Sequence, residues 1–314
     1  MTETLFFTGF IILVIGANIL VKGSSAIGQK LGIPSIVIGM TIVAFGTSLP
    51  ELVISSFAAY RGETDLAITN VLGSNLLNIL LILGISAIIL PIPAKKSTTN
   101  RVIPASFLLT VFLILMMYTF NQGRNVVNRT EGIVLLLLFV LFLYLNKKES
   151  NKSKGVDGMP RVEEQPVLKS LAYVILGLAA LFISGRWIVN GASAIAADLG
   201  ISQSVIGFTL VSLSTSLPEL VTSVMAAIRK NTDIAIGNVI GSNILNILVV
   251  LGVSATIRPL PVYEEIFSDL IMVLFATFVL FLMLFTGRKR YILHRHEGAL
   301  LLLIYLIYIT TRII

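Results

Sequence analysis

The sequence has no cysteine and only two histidines in 314 residues. No disulfide or thiolate chemistry is available, and nothing about redox compartment follows from cysteine usage. Charge is also scarce, at 12% of residues against about 25% in a soluble domain. Hydrophobic residues make up 56% of the chain and the mean hydropathy is +0.95, so most of it faces lipid or other apolar helices. The opening MTETLFF lacks a basic n-region and a small-residue cleavage site, so the first apolar run is expected to be retained. The net charge of +7 invites a nucleic-acid reading, but the basic residues sit in short loops between apolar runs, where they set membrane topology. No nucleic-acid partner is expected.

What is present is a series of ten apolar runs, near residues 4–29, 34–60, 66–91, 102–120, 130–147, 167–192, 202–228, 234–258, 265–286 and 297–313. A span needs roughly 20 apolar residues. A helix satisfies its own backbone in lipid, whereas a β-barrel would need alternating strands of about ten residues. The expected fold is an all-α membrane protein of ten transmembrane helices. Seventeen of the 23 Lys and Arg residues fall after odd-numbered spans, Lys22, Lys30 and Lys152 among them; the other six are Arg61, Arg124, Arg129, Arg186, Arg258 and Arg312. The richer side is expected to be cytoplasmic, which puts both termini outside a cell membrane. The polar stretch 148–168 reads as a cytoplasmic linker between a first half, 1–147, and a second half, 169–314. Five spans per half is an odd number, so the halves are expected to be inverted repeats with a binding site near the midplane where they meet.

The chain is built around a duplication. Residues 34–91 and 202–259 are identical at 35 of 58 positions, at a constant offset of 168 and without a gap. The two copies, GMTIVAFGTSLPELV and GFTLVSLSTSLPELV, are followed by GSNLLN and GSNILN. Fourteen of the 16 acids lie at span ends or in loops; Glu51 and Glu219 lie deep inside spans. A mid-membrane carboxylate is expensive and ordinarily binds something positive. Thr47 and Thr215 lie one helical turn before these glutamates, and Ser74/Asn78 and Ser242/Asn246 share the same i, i+4 spacing. Pro50 and Pro218 cannot donate a backbone hydrogen bond and disfavour a regular helix at the preceding turn, so a helix break is expected there. It should free carbonyls near Ala44, Gly46 and Thr47, and near Ser212, Ser214 and Thr215. With no His or Cys in the repeats, the donor set is all oxygen, which argues against zinc or copper and suits calcium.

These residues carry a resemblance. GTSLPEL with GSNLLN, and STSLPEL with GSNILN, resemble the two α-repeats of the cation/calcium antiporter superfamily, on its prokaryotic sodium/calcium exchanger branch. The resemblance implies two inverted five-helix repeats, with spans 2, 3, 7 and 8 as an ion-binding core and spans 1 and 6 sliding past it. It implies calcium held by Glu51, Glu219, Thr47 and Thr215. Sodium would be held by the same four residues together with Ser48, Ser74, Ser216, Ser242, Ala44 and Ser212, while Asn78 and Asn246 border the central site. No cofactor and no protein partner is implied, only the transported ions and the lipid bilayer. Asn246 stands where the potassium-dependent branch has Asp, which disfavours potassium co-transport. Ser214 replaces a glycine of the family motif beside the break, and the linker lacks the calcium-sensing domains of animal exchangers.

The leading expectation is therefore sodium-driven calcium antiport. Proton-driven calcium antiport and an uncoupled calcium-binding channel stay open as alternatives. Among weaker features, Asn128-Arg129-Thr130 matches a glycosylation sequon and His294 and His296 lie in a basic loop. Gly73, Gly84, Gly241 and Gly252 are expected to allow close helix packing.

Overall fold

The computed structural model describes residues 2–119, 125–152, 165–198, 215–262, 264–286 and 289–313. In the first half, helices α1 (Thr2–Leu31), α2 (Ser35–Thr47), α3 (Leu49–Arg61) and α4 (Thr64–Ile89) lead to a short strand, β1 (Ile92–Pro93). Helix α5 (Ile103–Thr119) follows a π-helical turn at Thr98–Val102, then come β2 (Val126–Val127) and α6 (Arg129–Lys152). The second half holds α7 (Val167–Asp198), α8 (Leu217–Ile228), α9 (Thr232–Ile257), β3 (Leu260–Pro261), α10 (Glu264–Thr286), β4 (Ile292–Leu293) and α11 (Arg295–Ile313). Most of the linker, from 153 to 164, lies outside the described residues, as do Arg124, Lys154 and Arg161.

Among the described residues, seven helices are long and apolar enough to cross a membrane, and the bent pair α2 and α3 makes an eighth. The sequence led to an expectation of ten. One further run, 202–228, is described only from Thr215. The last is the 19-residue α11, whose first turn carries Arg295, His296 and Glu297. Two expectations about loops are corrected. Lys22 lies inside α1, with its ammonium 5.9 Å from the Tyr173 ring centre, and Arg186 lies in the middle of α7.

The helices end for local reasons. Gly62, at φ +88°, closes α3 in the left-handed region that a side chain disfavours. Asn128 opens α6 through a reciprocal cap: its Oδ1 accepts from the Glu131 N–H at 3.0 Å, and Glu131 Oε2 accepts from the Asn128 N–H at 2.7 Å. The sequon asparagine therefore serves as a helix cap. At the start of α11 the His294 N–H donates to Glu297 Oε2 at 2.7 Å, and the His294 and His296 rings stack with centroids 5.6 Å apart.

Helices α4 and α9 form the centre, and the apolar length of α9 is wholly buried. Large apolar side chains such as Leu137, Val140, Ile175 and Phe278 face outward, as a lipid-facing surface requires. Contacts between the halves recur with the halves exchanged. Strand β1 pairs with β4 and β2 pairs with β3. Arg129 donates to the Ile257 carbonyl at 3.2 Å, and Arg295 donates to the Ile89 carbonyl at 3.3 Å. A Cβ added at Gly132 would meet the Gly252 carbonyl oxygen at 2.7 Å, and one at Gly298 would meet the Gly84 carbonyl oxygen at 2.7 Å. Gly84 and Gly252 are thus packing positions, as expected. Helices α1 and α7 pack tightly on each other, with Gly16 against the Gly177 carbonyl and Gly177 against the Gly16 carbonyl.

The glycine contacts give a stability test. Gly132→Ala should destabilise by about 1–3 kcal/mol, because two of the three nearest opposing atoms, Gly252 O and Thr256 N, are backbone and cannot swing aside. Gly185→Ala, where an added Cβ meets nothing within 4 Å, should be neutral or stabilising. Thermal unfolding in detergent checks the pair; equal melting temperatures would refute the packing account.

Candidate functional site

The site is built where α2 breaks into α3 and where α8 begins. Ser48 leaves the helical region at φ −84°, ψ 6°, and Pro50 occupies the first turn of α3. Ser216 does the same at φ −91°, ψ 1°, with Pro218 in the first turn of α8. The expected break is present: α2 and α3 meet at 48°. Proline is tolerated in a first turn, where its missing N–H would be unused. The turn that follows places Glu51 and Glu219 at helix N-termini, where the backbone dipoles favour negative charge. Both carboxylates are buried, each 1% exposed.

The two repeats reach across to each other. Ser48 Oγ donates to Glu219 Oε1 at 3.1 Å, and Ser216 Oγ is 3.4 Å from Glu51 Oε1. Ser74 Oγ donates to the same Glu51 oxygen at 3.3 Å and lies 3.2 Å from Ser216 Oγ. Thr47 and Thr215, one helical turn before these acids, are buried as well. Of the carbonyls expected to be freed, that of Ala44 is already engaged: it accepts from the Ser48 N–H at 2.9 Å and faces Thr47 Oγ1 at 3.4 Å. One helical bond survives the break because Ser48, not Pro50, is its donor. Ser212 and Ser214 lie outside the described residues.

Below the glutamates, α4 and α9 cross through four asparagines. Asn75 Nδ2 donates to the Asn243 carbonyl at 3.4 Å, and Asn243 Nδ2 donates to the Asn75 carbonyl at 3.2 Å. Asn78 Nδ2 donates to Asn243 Oδ1 at 2.9 Å, and Asn246 Nδ2 donates to Asn75 Oδ1 at 3.1 Å. Both helices widen here into π-helical turns, Leu77–Ile82 and Asn246–Leu251. Such turns mark functional sites because they shift the ladder and re-aim side chains. With their amides committed, Asn78 Oδ1 and Asn246 Oδ1 have no hydrogen-bond partner among the described residues; nor do Glu51 Oε2, Glu219 Oε2 and Ser242 Oγ. All five atoms are enclosed. Leaving a buried acceptor unsatisfied costs about 1–3 kcal/mol, more when it is charged, and these acceptors come from both repeats.

Some supporting residues were not singled out from the sequence. Asn238 Nδ2 donates to Ser223 Oγ at 3.0 Å and to the Glu219 carbonyl at 3.4 Å, while its Oδ1 accepts from Thr47 Oγ1 at 3.2 Å. It thus ties both helix breaks together. Asn70 Nδ2 donates to Ser55 Oγ at 3.0 Å in the other repeat. A signal was available: these polar residues are identical in both copies and sit inside apolar runs.

A cavity of about 560 Å³ reaches the breaks. It lies between α3, α7 and α8, with Pro50, Val53, Arg186, Asn190 and Thr215 on its wall. On the matching face, 168 residues away, Thr222 is fully buried where its counterpart Ile54 is partly exposed, and α1 engages α8 more extensively than α7 does.

Comparison with known proteins places this architecture. The family model of the sodium/calcium exchanger protein matches residues 4–148 and 169–314. The chain belongs to the sodium/calcium exchanger protein family. CaxA of Alkalimonas amylolytica is 37% identical over 309 residues, covering 96% of this chain and 95% of CaxA. The sodium/calcium exchanger MaX1 of Methanosarcina acetivorans is 30% identical over 338 residues, covering 96% of this chain and 95% of MaX1. Among solved structures, the sodium-calcium exchanger NCX_Mj soaked with zero Na+ and Ca2+ superposes with a TM-score of 0.85 at 34% identity, covering 98% of each chain. This exchanger-family chain thus shares both sequence and fold with transport proteins along nearly its whole length.

The role of Asn238 can be tested without transport. Asn238→Ala removes three buried hydrogen bonds and leaves Thr47 and Ser223 short of partners. It should lower stability by about 1–3 kcal/mol per abandoned group, read as a fall in melting temperature. A melting temperature equal to that of the parent would show that the bridge between the breaks is idle.

Proposed function

We propose that this chain is a secondary active antiporter that exchanges calcium for sodium by alternating access. The observation that carries the reading is the set of enclosed oxygen atoms without donors, two from the paired glutamates and two from the paired asparagines. With no His or Cys in either repeat, the donors on offer are oxygens, and oxygen-only sets suit calcium and sodium. Glu51 and Glu219 are buried together, each within reach of a serine hydroxyl of the other repeat. One calcium ion neutralises both, and sodium ions entering beside the same carboxylates do the same. The two cargoes therefore compete for one pair of charges, which is the physical basis of exchange. In this reading calcium is held by Glu51, Glu219, Thr47 and Thr215. Sodium sites add Ser48, Ser74, Ser216, Ser242 and the carbonyls of Ala44 and Ser212, while Asn78 and Asn246 border the centre.

The halves 1–147 and 169–314 would be inverted five-span repeats joined by a cytoplasmic linker at 148–168, with both termini outside the cell membrane. The exchanged contacts between the halves support this. Inverted repeats around paired acids favour a carrier over a channel.

Three measurements test this reading. Cysteines placed singly at Lys152 and Arg124 should label from opposite sides of the membrane; labelling from the same side would sink the inverted arrangement. In proteoliposomes, an inward sodium gradient should drive calcium out, and a pH gradient alone should not. The opposite result would establish proton coupling. Glu51→Gln or Glu219→Gln keeps shape but leaves one uncompensated positive charge on bound calcium. Losing one partner of a buried ionic cluster costs on the order of 3–5 kcal/mol, more than about a hundredfold in affinity. Each variant should nearly abolish calcium flux per folded molecule, and Asn78→Ala should do less because it removes a neutral group. Near-normal flux in either glutamine variant would place the ion site elsewhere.

A further inference from the structure

Alternating access, on which this inference rests, requires a second conformation in which the packed face opens and the cavity closes. The constant offset of 168 names the contacts that would close it. In the present conformation α1 is fastened to the far end of α8 and the start of α9. Arg229 Nε donates to Asn18 Oδ1 at 2.7 Å, and Asn231 Nδ2 donates to Ser25 Oγ at 3.0 Å. The counterparts on the cavity side are Arg61 for Arg229, Arg186 for Asn18, Glu63 for Asn231 and Ser193 for Ser25.

The exchange is therefore not neutral. An Arg–Asn hydrogen bond would become an encounter of two guanidinium groups, Arg61 and Arg186. A third, that of Arg258, already lies beside Gly62, where an added Cβ would be 2.9 Å from its Nη1. Where the packed side has the neutral Asn231, the cavity side has Glu63. Arg61, Glu63 and Arg186 are all exposed in the present conformation, and Arg186 lines the cavity. An arginine in the middle of a membrane-spanning helix ordinarily pairs with an acid or faces a water-filled cavity. Here it faces the cavity, and it loses that hydration if the cavity closes.

We propose that Glu63 and Arg186 form an ion pair that latches the cavity side shut in the opposite conformation, with the Glu63 carboxylate bridging Arg186 and Arg61. The latch on the packed side is the Arg229–Asn18 and Asn231–Ser25 pair seen here. The first is a charge bridge and the second is mostly neutral, so the two conformations differ in how salt and surface charge affect them.

The native chain has no cysteine, so single reporters are clean. Thr222→Cys reports opening of the packed face and Val53→Cys reports the cavity, each labelled by a small charged thiol reagent from its own side. Glu63→Gln should slow labelling at Thr222→Cys by about threefold, the scale of one partly exposed ion pair, without slowing labelling at Val53→Cys. Adding Arg186→Gln should restore the rate, because the uncompensated arginine is gone. Asn18→Ala, which loosens the observed latch, should speed labelling at Thr222→Cys. If Asn18→Ala acts and Glu63→Gln does not, or if Arg186→Gln fails to suppress Glu63→Gln, the ion-pair latch is overturned while alternating access stands. If neither Glu63→Gln nor Asn18→Ala changes labelling, the latch is overturned; if Thr222→Cys does not label at all in the parent, alternating access fails and the latch with it. Because Glu63 and Arg186 are exposed here, neither substitution removes a buried contact needed for folding.

Discussion

Two buried carboxylates with half of their oxygen atoms unprovided for constrain the rest of this structure. Glu51 Oε1 and Glu219 Oε1 receive hydroxyl donors from the opposite repeat, and the Oε2 atoms receive none. A fully satisfied acid pair would be a structural element that holds no cation. A fully unsatisfied pair would be too costly to bury. In the proposed reading, the half-satisfied state orients each carboxylate while keeping one oxygen for an ion. Everything around it serves that balance. The helix breaks put both acids at N-termini, the serines that end α2 and precede α8 cross over, and the asparagine lattice between α4 and α9 fixes the floor.

Much of this was legible in the sequence, and the reasons can be named. The duplication was readable because a site made by two repeats needs the same donors twice, so Glu51/Glu219, Ser74/Ser242 and Asn78/Asn246 survive in both copies. The helix break was readable because proline's missing N–H is a local property. The π-helical turns at Leu77–Ile82 and Asn246–Leu251 were not readable. A ladder shift depends on how two helices pack, and no residue type encodes it. The crossing of Ser48 to Glu219 was hidden for the same kind of reason: each N-cap serine looked local to its own glutamate. Lys22 and Arg186 misled because charge in an apolar run suggests a loop, whereas a long helix can carry charge where it faces a ring or a cavity.

Near-identical repeats do not make a symmetric molecule. Among the described residues, Ser74 Oγ is bonded to Glu51, while Ser242 Oγ has no partner. Asn238 Oδ1 accepts from Thr47, while Asn70 Oδ1 accepts from no described residue. Thr222 is fully buried, while its counterpart Ile54 and the arginine that stands for Asn18, Arg186, line the cavity. These differences follow from α1 and α7. They pack on each other through paired glycine contacts, yet α1 engages α8 more extensively than α7 does. A rigid pair that leans one way must leave a gap on the other. The asymmetry belongs to the conformation, and the identical residues at the centre experience it as different hydrogen bonding.

The distribution of differences between the copies then has a physical logic. In the proposed reading, side chains that hold the ions must offer the same ligands in either conformation, so Glu51/Glu219, Ser74/Ser242 and Asn78/Asn246 stay identical. Positions that close the two faces act one at a time, so they are free to diverge: Asn18 against Arg186, Asn231 against Glu63, Thr222 against Ile54. The packed face is not a well-satisfied core. Among the described residues, Ser24 Oγ and Thr222 Oγ1 are enclosed without partners, and each such hydroxyl costs about 1–3 kcal/mol that water would relieve on opening. A face built to stay shut would carry apolar side chains at those positions. In the proposed carrier, unsatisfied hydroxyls behind a hydrogen-bonded latch would keep the closed and open states close in free energy.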